Sequence, residues 1–155
     1  MNQNIKIPFV DLYPQYEELQ SEIDLAIRDI ITRSDYITGP TVEKFEQAIM
    51  NYTGAEACAS IGSGTNALVC ALKALDIGPG HQVMTVGHTF VSTTEAIVNV
   101  GATPVFVDID EFYHLDVNKM ELTDTLKAIL FVDLYGQTPD VDKILSFAKQ
   151  FNLKV

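Results

Sequence analysis

From about residue 65 onward the chain switches repeatedly between two periodicities. A helical pattern from Thr65 to Leu75 is followed by "QVMTV" (82–86), a short apolar run of the kind that forms a buried strand. "TFVSTTEAIVNV" (89–100) then reads as a helix, although its Thr and Val residues give it a low intrinsic propensity. "PVFVDI" (104–109) and "TLKAILFVDLYG" (125–136) carry two more strands, the latter expected to end near Asp133. "TPDVDKILSFAKQF" (138–151) reads as a helix, with Thr138 as its cap, Pro139 at its first position and Asp140 and Asp142 at its positive end. "NLKV" opens a last strand. Strands separated by helical runs of 10 or more residues need crossover connections. The alternation therefore predicts an α/β fold with a mostly parallel sheet flanked by helices.

The first third of the chain is different. Residues 1–14 read as extended, broken by Pro8 and Pro14. Leu19, Ile23, Ala26, Ile27, Ile30 and Ile31 recur at spacings of 3 and 4, which predicts a helix from Tyr16. Gly39-Pro40 interrupts it, and Thr41 can cap a second helix with Val42, Phe45, Ala48 and Ile49 on one face. These patterns divide the chain into a helical segment over 1–53 and an α/β region over 54–155. The second region breaks off at Val155 inside a strand pattern, as the front part of a larger domain would.

Charge and composition narrow the function. The 155 residues carry a formal net charge of -11, which disfavours nucleic acid and leaves any phosphate to be held locally by backbone N–H groups or a few placed side chains. No apolar run approaches the roughly 20 residues of a membrane span. The N-terminus lacks the basic and apolar regions of a signal peptide, so the expected location is cytoplasmic. Cys58 and Cys70 sit outside any CxxC pair and read as buried small hydrophobes. His81, His88 and His114 have no zinc-ligand spacing, so no metal site is expected. Asp108 and Asp110 at a strand end invite a metal or acid–base role, against which stands the plainer reading of solvated acids.

"SIGSGTNAL" (60–68) is the stretch with most chemistry in it. A helix N-terminus offers unpaired N–H groups and partial positive charge. Gly62 and Gly64 permit close backbone approach, and Ser63 and Thr65 add hydroxyls. A well-capped helix and a phosphate cradle both fit these residues. Gly62 to Ala67 also matches the dinucleotide pattern G-x-G-x-x-A. However, "AEACAS" before it is not strongly apolar, and no carboxylate follows in "VMTVGHTF" (83–90) where that pattern needs one. A nicotinamide-dependent enzyme is the weaker alternative.

"SGTNALVCALKALDIGPGHQVMTVGHTFVSTTEAIVNVGATPVFVDID" resembles the nucleotide-sugar aminotransferases of the DegT/StrS group, pyridoxal-phosphate enzymes of the aspartate-aminotransferase fold type. "IPFVDLYPQYEELQSEIDLAI", "YITGPTVEKFE" and "LKAILFVDLYGQTPDVDKILSFAKQFNLKV" resemble the family's neighbouring segments in the same order. The resemblance implies that 54–155 is the front part of the pyridoxal-phosphate-binding domain. It implies that Gly64, Thr65 and Asn66 hold the cofactor phosphate and that Phe90 stacks on its pyridine ring. It places Tyr36 and Gly39 near the sugar, and gives Asp108 and Asp110 no catalytic part. The substrates implied are a nucleotide-linked keto sugar and an amino donor such as glutamate, in polysaccharide or glycoconjugate biosynthesis. The resemblance also implies a homodimer for the full-length form. Members of the family carry histidine where Asp133 stands. The acid that pairs with the pyridine nitrogen and the lysine that bonds the cofactor match no position in these 155 residues, so no catalytic residue is assigned. The chain alone is expected to be inactive in transamination, or to act as a non-catalytic subunit paired with a full-length relative.

Overall fold

The computed structural model describes residues 7–155 and divides into two compact units, Met1–Ser60 and Ile61–Val155. Of the segment expected to be extended, residues 1–6 lie outside the described residues. The rest is irregular up to Tyr13, where the first helix begins.

In the first unit, α1 spans Tyr13–Arg33 and α2 spans Pro40–Thr53. Pro14 does not break the chain as expected. It lies in the first turn of α1, where a missing N–H costs nothing. α1 stops at Ser34, whose left-handed backbone turns its N–H back onto the carbonyls of Ile30 and Ile31. Thr41 is not the cap of α2. Pro40, with its φ fixed near the helical value, starts that helix, and Gly39 is the cap at φ 101° and ψ -178°. That backbone conformation is open to little but glycine. Thr41 instead accepts a hydrogen bond from Arg33 Nη2 at 3.2 Å. Neither helix buries a side chain, so Leu25, Ile31 and Phe45 are exposed.

The second unit is built on a three-stranded parallel sheet in the order β2-β1-β3, with β1 at Gln82–Val86, β2 at Thr103–Val107 and β3 at Leu126–Ile129. Three helices, α3 (Gly64–Ala74), α4 (Ser92–Asn99) and α5 (Val141–Gln150), flank it. β1 is buried on both faces, as a central parallel strand must be. Val83 on one face joins a core with Leu72 of α3, Ala96 and Ile97 of α4 and Ala128 of β3. Met84 and Val86 on the other join Leu126, Ile129, Leu115 and, from α5, Ile144 and Ala148. β2 lies at the edge, where Pro104 is tolerated and Phe106 stays exposed. The chain's "NLKV" reaches β3 through a parallel bridge from Lys154 to Ala128.

Three boundaries differ from the sequence pattern. β3 ends at Ile129 rather than near Asp133. One further ladder bond, from Leu130 N–H to the Met84 carbonyl, exists, but β1 itself turns away at Gly87 and leaves residues 131–133 without a partner strand. α4 is shorter than expected because Thr89 to Val91 form a turn before it. α5 begins at Val141 and not near Pro139. Asp140, not Thr138, caps it, since its carboxylate accepts from the Lys143 N–H at 3.1 Å. Gly101 closes α4 at φ +81°, and a Cβ there would meet Pro79 Cγ at 2.9 Å, so only glycine fits this turn without a shift.

Candidate functional site

The strand order fixes where a ligand can sit. From β1 the chain crosses through α4 to β2 on one side, while β3 lies on β1's other side. The loops leaving the carboxyl ends of β1 and β3 therefore diverge. The crevice between them is the topological switch point at which open α/β sheets bind ligands. A cavity of about 670 Å³ occupies this crevice. Its walls come from the start of α3 (Gly64, Thr65), the loop after β1 (Thr89, Phe90), the start of α4 (Ser92, Thr93) and the segment after β3 (Val132 to Tyr135).

The start of α3 is a capped helix N-terminus. Ser63 is the N-cap, and its hydroxyl accepts the Asn66 N–H at 3.2 Å. The first helical bond runs from Ala67 N–H to the Ser63 carbonyl at 2.9 Å. The amides of Gly64 and Thr65 are left over at the positive end of the helix dipole. At Gly62 and Gly64 a Cβ would meet nothing within 4 Å, so no neighbour crowds these α-carbons. The Thr65 hydroxyl donates to Ser92 Oγ at 2.7 Å, tying the first turn of α3 to the first turn of α4. Thr89 and Thr93 form a second hydroxyl pair at 2.9 Å. Phe90 lines the same cavity and is 74% exposed as a residue. An apolar ring that far out of the core leaves a flat surface for a ligand.

Among the residues singled out from sequence, Gly64, Thr65 and Phe90 thus come together around one cavity. Asn66 stands beside it, exposed, with its amide committed to Ser63 rather than free. Tyr36 and Gly39 belong to the first unit. Tyr36 is exposed, and Gly39 is accounted for by the backbone of its cap. The hydroxyls of Ser92, Thr89 and Thr93 were not legible as site residues. Their signal was the density of Ser and Thr in "TFVSTT" directly after an apolar strand. No lysine or arginine among the described residues lines the cavity, and Asp133 is its one carboxylate.

The other candidates have structural occupations. Asp108 is exposed and paired with Lys119 Nζ at 3.0 Å. The hydrogen bond from Lys119 is the main cause holding the Asp108 carboxyl below its ordinary value, with the Ile109 N–H adding to it. A depressed carboxylate stabilises the fold above the ordinary carboxylate range, and that contribution is lost as pH falls through the depressed value. Replacing Lys119 with methionine should move the Asp108 midpoint upward, as read by carboxyl-carbon NMR titration. An unmoved midpoint would contradict the assignment. Asp110 closes a hairpin loop, accepting from the N–H groups of Phe112 and His114 at 2.9 Å each. Neither cysteine is buried as expected. Cys70 projects from α3 two residues away from Leu68 and Leu72, hence on the side away from the core, and Cys58 is only partly covered. Among the described residues no group of three or more His, Cys, Asp or Glu side chains could hold a metal ion, and no helix is long and apolar enough to cross a membrane.

Residues 17–155 match the model of the DegT/DnrJ/EryC1/StrS aminotransferase family. The chain is 40% identical over 96% of its length to the UDP-2-acetamido-2-deoxy-3-oxo-D-glucuronate aminotransferase of Pseudomonas aeruginosa, of which it covers 42%. Among solved structures it superposes on S. venezuelae DesV with a TM-score of 0.92 at 36% identity, covering 96% of this chain and 41% of the other. On NtdA of Bacillus subtilis, solved with bound cofactor PMP, the TM-score is 0.94 at 30% identity, covering 99% of this chain and 37% of the other. The chain thus spans about two fifths of the length of the relatives it matches.

Proposed function

We propose, on the premise that the chain belongs to the DegT/DnrJ/EryC1/StrS aminotransferase family, that its second unit forms the phosphate- and ring-holding side of a pyridoxal-phosphate site. The observation that carries this reading is the switch-point cavity with the open amides of Gly64 and Thr65 on one wall and the exposed ring of Phe90 on another. The whole activity is the transfer of an amino group from an amino-acid donor to a keto group on a nucleotide-linked sugar, in the building of polysaccharides or glycoconjugates.

The residues present fit the group. A phosphate suits a helix start whose N–H groups are unpaired and whose glycines leave room. The Thr65 and Ser92 hydroxyls, already 2.7 Å apart, can turn their protons toward an anion oxygen. Phe90 offers its face to the pyridine ring, fixing the plane in which it lies. When bound, the cofactor supplies an electron sink for the carbanion formed during amino transfer. This chain's contribution is to bind and orient. With no lysine among the described residues lining the cavity, these residues are not expected to bond the cofactor or to complete transamination unaided. We further propose that full-length assemblies are dimers, in which Tyr36 and Gly39 meet the sugar nucleotide held by a partner copy. The protein is proposed to work in the cytoplasm.

A titration of the 155-residue protein with pyridoxal 5′-phosphate tests the reading. The expected result is a saturable shift of the ligand's phosphorus NMR signal with weak affinity, reversed by inorganic phosphate. Borohydride reduction followed by mass spectrometry should find no single lysine modified stoichiometrically. Absence of a saturable shift overturns the site. A stoichiometric adduct at one lysine overturns the division of labour.

A further inference from the structure

Two tyrosines hold backbone conformations that bulky residues avoid. Tyr113 has φ 68° and Tyr135 has φ 60°. Left-handed backbone is costly for side chains of this size, and such strain gathers where function requires it. The two positions arise in unrelated turns. Tyr113 ends the loop of the small hairpin closed by the antiparallel bridge between Ile109 and Leu115, a place where glycine is the easy choice. Tyr135 lies in a short helical turn, Leu134–Gly136, after β3. Yet their rings meet edge to face, with centroids 6.1 Å apart at 86°. Tyr113 is backed in turn by His88, stacked at 5.3 Å and 29° in the loop after β1.

The strain does not serve burial. Tyr135 lines the switch-point cavity while 79% exposed. Beside it on the same wall stands Asp133, whose carboxylate has no hydrogen bond or ion pair among the described residues. An exposed aromatic face next to a free acceptor suits a ring that is apolar on one face and bears hydroxyl donors at its edge. The same carboxylate, with no cation on the cavity wall, disfavours a second anionic group there. We propose that Asp133 and Tyr135 form a subsite for the sugar ring of the substrate, and that Tyr113 is a positioning residue that holds the Tyr135 ring in place. This rests on the sugar-nucleotide reading above, and it assigns to the sugar a wall distinct from the Gly64–Thr65 cradle.

Saturation-transfer NMR with UDP-N-acetylglucosamine as the probe tests it, with pyridoxamine 5′-phosphate binding measured in parallel. The wild-type protein should transfer saturation to the sugar-ring protons. Tyr135→Gly and Tyr113→Gly should reduce that transfer at least fivefold, and Tyr135→Phe should preserve it. Because glycine adopts the native φ at both positions, the glycine variants should melt no lower than the wild type and bind pyridoxamine phosphate as it does. A merely structural pair would instead lower the melting temperature and leave sugar transfer proportional to folded protein. No ring-proton transfer in the wild type, or equal transfer in the glycine variants, overturns the subsite. Ring-proton transfer without pyridoxamine phosphate binding supports the subsite and overturns the cofactor reading alone.

Discussion

Replacing Ile97 with alanine is expected to lower the stability of the second unit by about 2–5 kcal/mol, the range for deleting a fully buried isoleucine side chain. Ile97 is 0% exposed and sits in the core that joins α3 and α4 to the sheet through Leu72, Val83 and Ala128. The loss combines the transfer free energy of the missing carbons with the cavity left among neighbours that cannot all move. Since domains of this size are stable by only about 5–15 kcal/mol, the variant should be near the edge of folding at moderate temperature. Urea unfolding followed by circular dichroism measures it, with Ile97→Val as the graded control at about 0.5–1.5 kcal/mol. A loss below about 1 kcal/mol for alanine would mean that α4 is not clamped to the sheet as described.

The second large effect concerns binding and should leave stability untouched. Thr65 lies in the first turn of α3, where its hydroxyl donates to Ser92. Thr65→Asp places a carboxylate of similar size at the same point. The helix dipole favours it, and Ser92 can donate to it, so the fold should be as stable as before or slightly more so. The carboxylate then occupies the cradle with the charge a phosphate would bring. Affinity for pyridoxal phosphate is expected to fall at least tenfold, equivalent to about 1.4 kcal/mol or more, while Thr65→Ser stays near wild type. Phosphorus NMR titration and thermal melts on the same samples separate the two effects. Retained binding in the aspartate variant would place the phosphate elsewhere.

The sequence pattern was most informative where burial on both faces dictated composition. "QVMTV" is β1 residue for residue, because a central strand buried on both faces favours a compact, mostly apolar run, with its one buried hydroxyl, Thr85, satisfied by the Leu130 carbonyl. The pattern failed where an apolar run outlasted its partner. "LFVDLY" looks like strand throughout, yet the ladder stops once β1 turns at Gly87, a tertiary fact that no local window contains. The caps of α2 and α5 went wrong for a related reason. Several residues near each start could have served; backbone geometry selected Gly39, and a carboxylate within reach of the Lys143 N–H selected Asp140. In the cavity, Gly64 and Thr65 were visible as a glycine- and hydroxyl-rich helix start, which a plain capped helix fits as well, and Phe90 only through the family resemblance, because a lone aromatic after an apolar strand reads as core. The placement of Ser92 and Tyr135 at the cavity depends on partners distant in sequence, Thr65 27 residues away and Tyr113 in a separate hairpin loop, and periodicity carries no such information.

The strand order also sets a timetable. Three walls of the cavity come from a contiguous stretch between Gly64 and Thr93, and the fourth comes from Val132 to Tyr135. During synthesis the first three can assemble around β1 before the last has left the ribosome. The docking of β3, marked by the Thr85 hydroxyl bond to the Leu130 carbonyl across 45 residues, is then the closing event. Long-range pairings of this kind form late because their loops must first be brought together. A ligand that touches all four walls can recognise only a nascent chain that has passed this checkpoint, so its capture would report that β3 has docked on β1.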